Sequence, residues 1–200
     1  MSFIIGLDEC GLGPWAGPLV VAAAVLKEDL VLRATLDSKK INESRRYALE
    51  KEVKVSAEYW VLARSSASMI DRHGLASCLE ACMLACAQRA RAHFPDARLI
   101  VDGVRKVPGI LNQETMVKAD DKVQAVGAAS IIAKVHRDQY MVTISATWPQ
   151  YLFHRHKGYG TRVHREALNR YGVCPEHRKS YEPVRRVLNV AYETVQVFVL

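Results

Sequence analysis

Leu19-Val-Val-Ala-Ala-Ala-Val-Leu26 is an unbroken apolar run of strand length placed straight after Pro18. Successive side chains of a strand point to opposite sides, so a run with no polar position must be covered on both faces. That requirement predicts a sheet with helices packed against it. The rest of the chain supplies them. Phe3 to Leu7 and Ser56 to Arg64 read as strands, and so do Arg98 to Gly103 and the short Thr115 to Val117. Between them lie segments of helical length: Asn42 (as N-cap) to about Val53, Ser66/Ser68 to Gly74, and Leu75 to His93. Val123 to about Thr147, entered through Asp120-Asp121, and Thr161 (as N-cap) to Tyr171 complete the set. The last twenty residues mix apolar and charged groups and read as a helix or strand packed on the body. Strands interleaved with helices of this length predict an α/β domain with a mixed central sheet and helices on its faces.

Composition narrows the class. The chain of 200 residues is long enough for a sizeable core, and no stretch reaches the length of a membrane span. Phe3 to Leu7 is too short and too soon followed by acids to be a secretory signal, so a cytoplasmic location is expected. Cys78, Cys82 and Cys86 recur at helical spacing, and with no paired C-x-x-C they read as core residues rather than a metal cluster. A net charge of +7 suits a polyanionic partner such as nucleic acid.

The acids carry the functional signal. Asp8 and Glu9 close an apolar strand just before Gly11-Leu12-Gly13-Pro14. Asp102 closes another, followed by Gly103, and Asp120 sits at the mouth of a long helix. If the two strands are neighbours, their ends bring the acids together at the edge where α/β folds gather ligands. Clustered carboxylates repel and need cations, and hard divalent ions prefer oxygen. Such a set suits a metal-dependent phosphodiesterase, in which two Mg²⁺ or Mn²⁺ ions roughly 3.5–4 Å apart activate water and stabilise the leaving oxygen. Taken singly, Asp102 closes a turn and Asp120 caps a helix, and Asp138 reads as a salt-bridged or supporting group within its helix. His154, His156 and His164 suit phosphate contact or structural hydrogen bonding better than zinc, for want of cysteine partners.

The ordered motifs resemble type 2 ribonuclease H, the family often called ribonuclease HII. Its opening Asp-Glu-Ala-Gly-Arg-Gly-Pro, with Ala-Gly-Pro soon after, is matched by Asp8-Glu9-Cys10-Gly11-Leu12-Gly13-Pro14 and Ala16-Gly17-Pro18. Asp37-Ser38-Lys39-Lys40, Val101-Asp102-Gly103 and Lys118-Ala119-Asp120 follow in order. Ala128 to Val135 with Arg137-Asp138, His156 to Thr161 with His164, and His177 to Tyr181 complete the series.

The resemblance implies a ribonuclease H-like fold with a C-terminal helical extension. It implies one catalytic domain over residues 1–200, whose family-like core runs from about 3 to 183. The implied activity is hydrolysis of the RNA strand of RNA–DNA hybrids and nicking of DNA 5′ of an embedded ribonucleotide, leaving 3′-hydroxyl and 5′-phosphate ends. Carried over by position, Asp8, Glu9, Asp102 and Asp120 become the catalytic metal ligands for Mg²⁺ or Mn²⁺, two ions in the substrate complex. The backbone of Gly11, Leu12 and Gly13 becomes the reader of the 2′-hydroxyl, the group that separates RNA from DNA. Tyr159 becomes the ring that stacks on the neighbouring deoxyribose, and Ser38, Lys39 and Lys40 become phosphate contacts. His177 and Arg178 match an element assigned to structure or substrate backbone. The implied partner is a nucleic-acid duplex, with no membrane, and the implied state is a monomer.

One departure stands out. Leu12 occupies the family's arginine position, and leucine donates no hydrogen bond. It leaves as alternatives a ribonuclease H-like nuclease with altered substrate preference or a non-catalytic nucleic-acid binder, beside which stands another ribonuclease H-like nuclease acting on DNA junctions or ends. The Gly-x-Gly turn with Tyr159 argues against the junction nuclease. Four retained acids, which repel phosphate, argue against the binder.

Overall fold

The computed structural model describes residues 2–30 and 42–196, with side chains as far as 189. The expected phosphate contacts Ser38, Lys39 and Lys40 lie outside the described residues. The described residues fall into two compact units, the first drawn from those within Met1–Cys10, Val20–Arg64 and Leu79–Arg137 and the second from those within Gly11–Leu19, Ser65–Cys78 and Asp138–Leu200.

The first unit holds the sheet, β1 (Phe3–Cys10), β2 (Leu19–Lys27), β3 (Tyr59–Ser65), β4 (Arg98–Asp102) and β5 (Gln113–Met116), in the order β3-β2-β1-β4-β5. It is mixed: β1 runs antiparallel to β2 and parallel to β4, and β4 is parallel to β5. β2 is buried at every position but the last, as its unbroken apolar run requires. On one face Val20, Ala22, Ala24 and Leu26 meet α1 (Glu43–Ser56) through Leu49 and Val53, and α4 (Gln124–Thr147) through Ala125, Ala128, Ala129 and Ile132. On the other face α3 (Leu75–His93) packs, with the Cys86 thiol 3.5 Å from the Val21 carbonyl. Among the described residues no cysteine is in a disulfide, and burial pushes the Cys86 thiol up to about 12, so it is an inert core group.

β1 and α4 are unusually close. A Cβ added at Gly6 would lie 2.1 Å from the backbone carbonyl carbon of Ala125, so only glycine fits there. This contact brings the first turns of α4 onto the strand that carries Asp8.

The second unit contains α2 (Ala67–His73), α5 (Phe153–His156), α6 (Arg162–Tyr171) and α7 (Glu182–Gln196). Its core is built from Ala16, Met141, Ile144, Tyr151, Phe153, Ala167 and Cys174. Ser66 caps α2 on the Met69 amide and Thr161 caps α6 on the His164 amide. Gly74 and Gly172 end these helices at positive φ.

Four expectations shift, the smallest being β5, which lies at Gln113–Met116 rather than Thr115–Val117. α1 continues to Ser56, so β3 starts at Tyr59 rather than Ser56. Asp120 and Asp121 form a separate 3₁₀ turn, Ala119–Asp121, rather than the entry of α4. β1 runs on to Cys10, because the antiparallel ladder to β2 continues past the last β4 pair, Leu7↔Val101. Among the described residues no helix is long and apolar enough to cross a membrane.

Candidate active site

The carboxylates of interest lie in the first unit. Asp8 and Asp102 each follow the last paired residue of the parallel β1–β4 ladder, so they occupy the next position in register. Adjacent strands lie about 4.8 Å apart, and side chains in direct parallel register share a face. Asp8 is almost fully buried; its Oδ1 accepts from the Glu9 amide at 2.8 Å, and the Ser130 hydroxyl of α4 donates to its carboxylate. Asp102 Oδ1 accepts from the Ala119 amide at 2.7 Å, which ties the turn carrying the buried Asp120 to the end of β4. Lys118, just before that turn, holds a left-handed conformation at φ 57. Non-glycine residues adopt it at a cost, commonly at functional sites.

The electrostatics are those of acids drawn together. Burial, with added repulsion from Glu9 and Asp102, pushes the Asp8 carboxyl up to about 8 despite the Ser130 hydrogen bond. Glu9 is raised by burial and then by the Asp102 charge, and Arg105 partly opposes this. Arg105 also pairs with Glu80 at 3.2 Å. Oxygen donors with excess negative charge suit a hard divalent cation in both chemistry and sign. Among the described residues no group of three or more His, Cys, Asp or Glu side chains is placed so that it could by itself hold a metal ion.

Ser130 and Arg105 are the residues that sequence reading missed. Ser130 is the one polar residue in Ala128-Ala129-Ser130-Ile131-Ile132-Ala133, and a polar group in such a run needs a partner. Arg105 carried no local signal.

The residues expected to read substrate lie in the second unit. Gly11 has φ 103, a conformation open to glycine, and Leu12 and Gly13 after it are exposed. Fully buried Arg178 reaches across the turn: Nη2 donates to the Gly11 carbonyl at 2.7 Å, Nη1 to Leu12 at 3.1 Å and Nε to Gly17 at 3.0 Å. The Tyr181 hydroxyl donates to the Leu12 carbonyl at 2.6 Å. Tyr159 is exposed beside the turn, its Cε1 4.0 Å from where a Gly13 Cβ would be.

The buried histidines are structural here, as their hydrogen bonds specify. The Tyr159 carbonyl accepts from His164 Nδ1 at 3.0 Å, which leaves His164 Nε2 to accept from His177 Nε2 at 3.0 Å. His177 Nδ1 then accepts from the Cys174 amide at 3.0 Å, with the Cys174 thiol 3.1 Å away. The chain therefore assigns both tautomers and requires both rings neutral. Burial agrees, lowering His164 to about 4 and His177 to about 3. The cysteine in this chain of bonds, Cys174, meets His177 and not one of the three histidines singled out in the sequence. Asp138 is buried within α4, and His154 Nδ1 lies 2.8 Å from the Ser145 hydroxyl.

A family model described as Ribonuclease HII matches residues 5–184. A curated ribonuclease HII from Albidiferax ferrireducens is 40% identical over 191 residues, covering 95% of this chain and 91% of that protein. Among solved structures, ribonuclease H2 from Pyrococcus horikoshii superposes with a TM-score of 0.78 at 22% identity, covering 96% of this chain and 99% of that one. Bst-RNase HIII in complex with Mn²⁺ superposes with a TM-score of 0.80 at 18% identity, covering 96% of this chain and 71% of that one. These two share the ribonuclease H-like fold.

Proposed function

The chain belongs to the ribonuclease HII family and is a ribonuclease H, and from that premise we propose that it hydrolyses RNA–DNA hybrids and nicks duplex DNA 5′ of an embedded ribonucleotide. Asp8, Glu9, Asp102 and Asp120 are the metal ligands in this reading, and the metal is Mg²⁺ or Mn²⁺. When bound, a pair of such ions supplies an activated water and stabilises the charge on the departing 3′ oxygen. Attack of water on phosphorus with loss of that oxygen yields the 3′-hydroxyl and 5′-phosphate. The observation that carries this reading is that Asp8 and Asp102 both stand just past the last pair of the parallel β1–β4 ladder, with the Ala119 amide of the Asp120 turn bonded to Asp102.

The protein's own groups have separate tasks. Ser130 and the Glu9 amide orient Asp8, and the Ala119 amide orients Asp102. Burial pushes the Asp8 carboxyl up to about 8 in the metal-free chain, so a ligand role for Asp8 would require it to give up that proton. The backbone of Gly11, Leu12 and Gly13 recognises the 2′-hydroxyl, Tyr159 stacks on the adjacent deoxyribose, and Ser38, Lys39 and Lys40 contact phosphate. Leu12 offers backbone but no side-chain donor, which lowers affinity without removing the 2′-hydroxyl reader. The family match spans residues of both units, which supports reading the chain as one catalytic domain.

Hydrolysis of a labelled RNA–DNA hybrid tests the proposal. Cleavage in Mg²⁺ or Mn²⁺, abolished by EDTA and absent on the all-DNA duplex, is the expected result. Cleavage of the all-DNA duplex at a similar rate would refute it.

A further inference from the structure

We propose that Arg178, braced by Tyr181, is the positioning residue that aims the Leu12 and Gly13 amides outward as donors to the substrate 2′-hydroxyl. The inference rests on the reading of Gly11–Gly13 as the 2′-hydroxyl reader, and it says what makes that turn a reader.

A trans peptide is planar, so its carbonyl and its N–H point in opposite directions. No cis peptide occurs among the described residues. Arg178 takes the Gly11 carbonyl at 2.7 Å and the Leu12 carbonyl at 3.1 Å. The N–H of Leu12 belongs to the first of those peptides and the N–H of Gly13 to the second. Both are therefore turned away from the guanidinium. Leu12 and Gly13 are exposed, whereas Arg178 is 0% exposed. The guanidinium thus cannot meet the substrate itself, and it acts through the peptides it holds.

The brace is rigid. The Leu12 carbonyl has two donors, Arg178 and the Tyr181 hydroxyl, and Arg178 donates to that same hydroxyl at 2.8 Å. The Arg178 amide donates to the Trp15 carbonyl at 2.8 Å. The next residues are anchored from α2, where Asp71 accepts from the Lys179 and Ser180 amides, each at 2.8 Å. A planar fork that satisfies three carbonyls in fixed directions is a task for which lysine is a poor substitute. Two preset donors also cost little ordering when the hydroxyl arrives.

The test is equilibrium binding in EDTA, read by fluorescence anisotropy. One duplex carries a single ribonucleotide and the other is the same sequence in DNA throughout. The ratio of the two affinities is the discrimination. Wild type is expected to favour the ribonucleotide duplex. Tyr181→Phe should lower the ratio about five-fold and Arg178→Lys should bring it close to one, with all-DNA affinity within about two-fold of wild type. Tyr181→Phe loses only a hydroxyl, so it decides the matter alone if Arg178→Lys fails to fold. A wild-type ratio that Tyr181→Phe leaves unchanged overturns the proposal while leaving the turn a reader. Equal weakening on both duplexes also overturns it, because that marks a general loss of structure. A wild-type ratio near one overturns the reading of the turn itself.

Discussion

Asp8→Asn should stabilise the metal-free protein, and more so as pH rises. Asp8 titrates near 8 when folded against 3.8 as a free group, because burial and the Glu9 and Asp102 charges disfavour its ionised form. Between those values the folded state holds a proton that the unfolded state has lost. Unfolding free energy therefore falls with rising pH, by about 1.4 kcal/mol per unit for a single such group. From about pH 6 to about pH 8 the loss comes to roughly 2 kcal/mol, allowing for partial ionisation near the upper end. Asparagine cannot ionise, and its carbonyl can still accept the Glu9 amide. Urea unfolding of both proteins in EDTA measures the difference, in which the histidine contributions cancel. It should widen by roughly 2 kcal/mol over that interval, about 4–8 °C in Tm for a chain of this length. Mg²⁺ or Mn²⁺ should then raise the wild-type midpoint more than that of Asp8→Asn, since an ion that binds only the folded state stabilises it. A difference that stays constant with pH, or equal metal responses in the two proteins, would refute the reasoning.

Four further outcomes are expected. Asp102→Asn should lose at least about 10³-fold in kcat yet keep its circular dichroism spectrum, because its amide oxygen still accepts the Ala119 N–H; near-normal turnover in Mg²⁺ would contradict this. Leu12→Arg should raise cleavage at a single embedded ribonucleotide several-fold at little cost in stability, since the side chain is 37% exposed; unchanged or slower cleavage would remove the explanation offered for this position. Gly6→Ala places a Cβ 2.1 Å from the Ala125 carbonyl carbon and should cost roughly 3 kcal/mol or more, so a thermal melt matching wild type would show the β1–α4 contact to be wrong. His164 and His177 are held neutral with folded values of about 4 and 3, so the unfolded chain takes up protons that the folded one refuses. Their stability is complete above about pH 6.5 and drains as pH falls toward 4, and His164→Gln should flatten that acid limb of the urea midpoint.

The sequence made the elements legible where local chemistry decides them. The unbroken run Leu19–Leu26 is buried on both faces, Thr161 caps α6, and Leu75–His93 is a helix over those same residues. The acids after two apolar runs are legible as candidates for one sheet edge, but the register that sets Asp8 beside Asp102, just past the Leu7↔Val101 pair, comes from the β1–β4 pairing and not from either strand's own residues. What stayed hidden depends on contacts far apart in the chain. Arg178 meets Gly11 across 167 residues, and nothing near either position announces it. Ser130 reaches Asp8 only because Gly6 admits α4 so close to β1. α5 is entered and left through Leu152 at φ 56 and Lys157 at φ 48, left-handed residues that no local preference would suggest. Asp120 reads locally as a helix entry, but the Asp102 carboxylate accepts from the Ala119 amide and the acid stands in its own turn.

Product mapping on a DNA duplex with one ribonucleotide, with and without Mg²⁺, bears most directly on the account. It predicts a single metal-dependent nick on the 5′ side of the ribonucleotide, ending in a 3′-hydroxyl and a 5′-phosphate. A nick that persists in EDTA, or a 2′,3′-cyclic phosphate end, would mean that the ribose hydroxyl rather than water attacks phosphorus, and would contradict it.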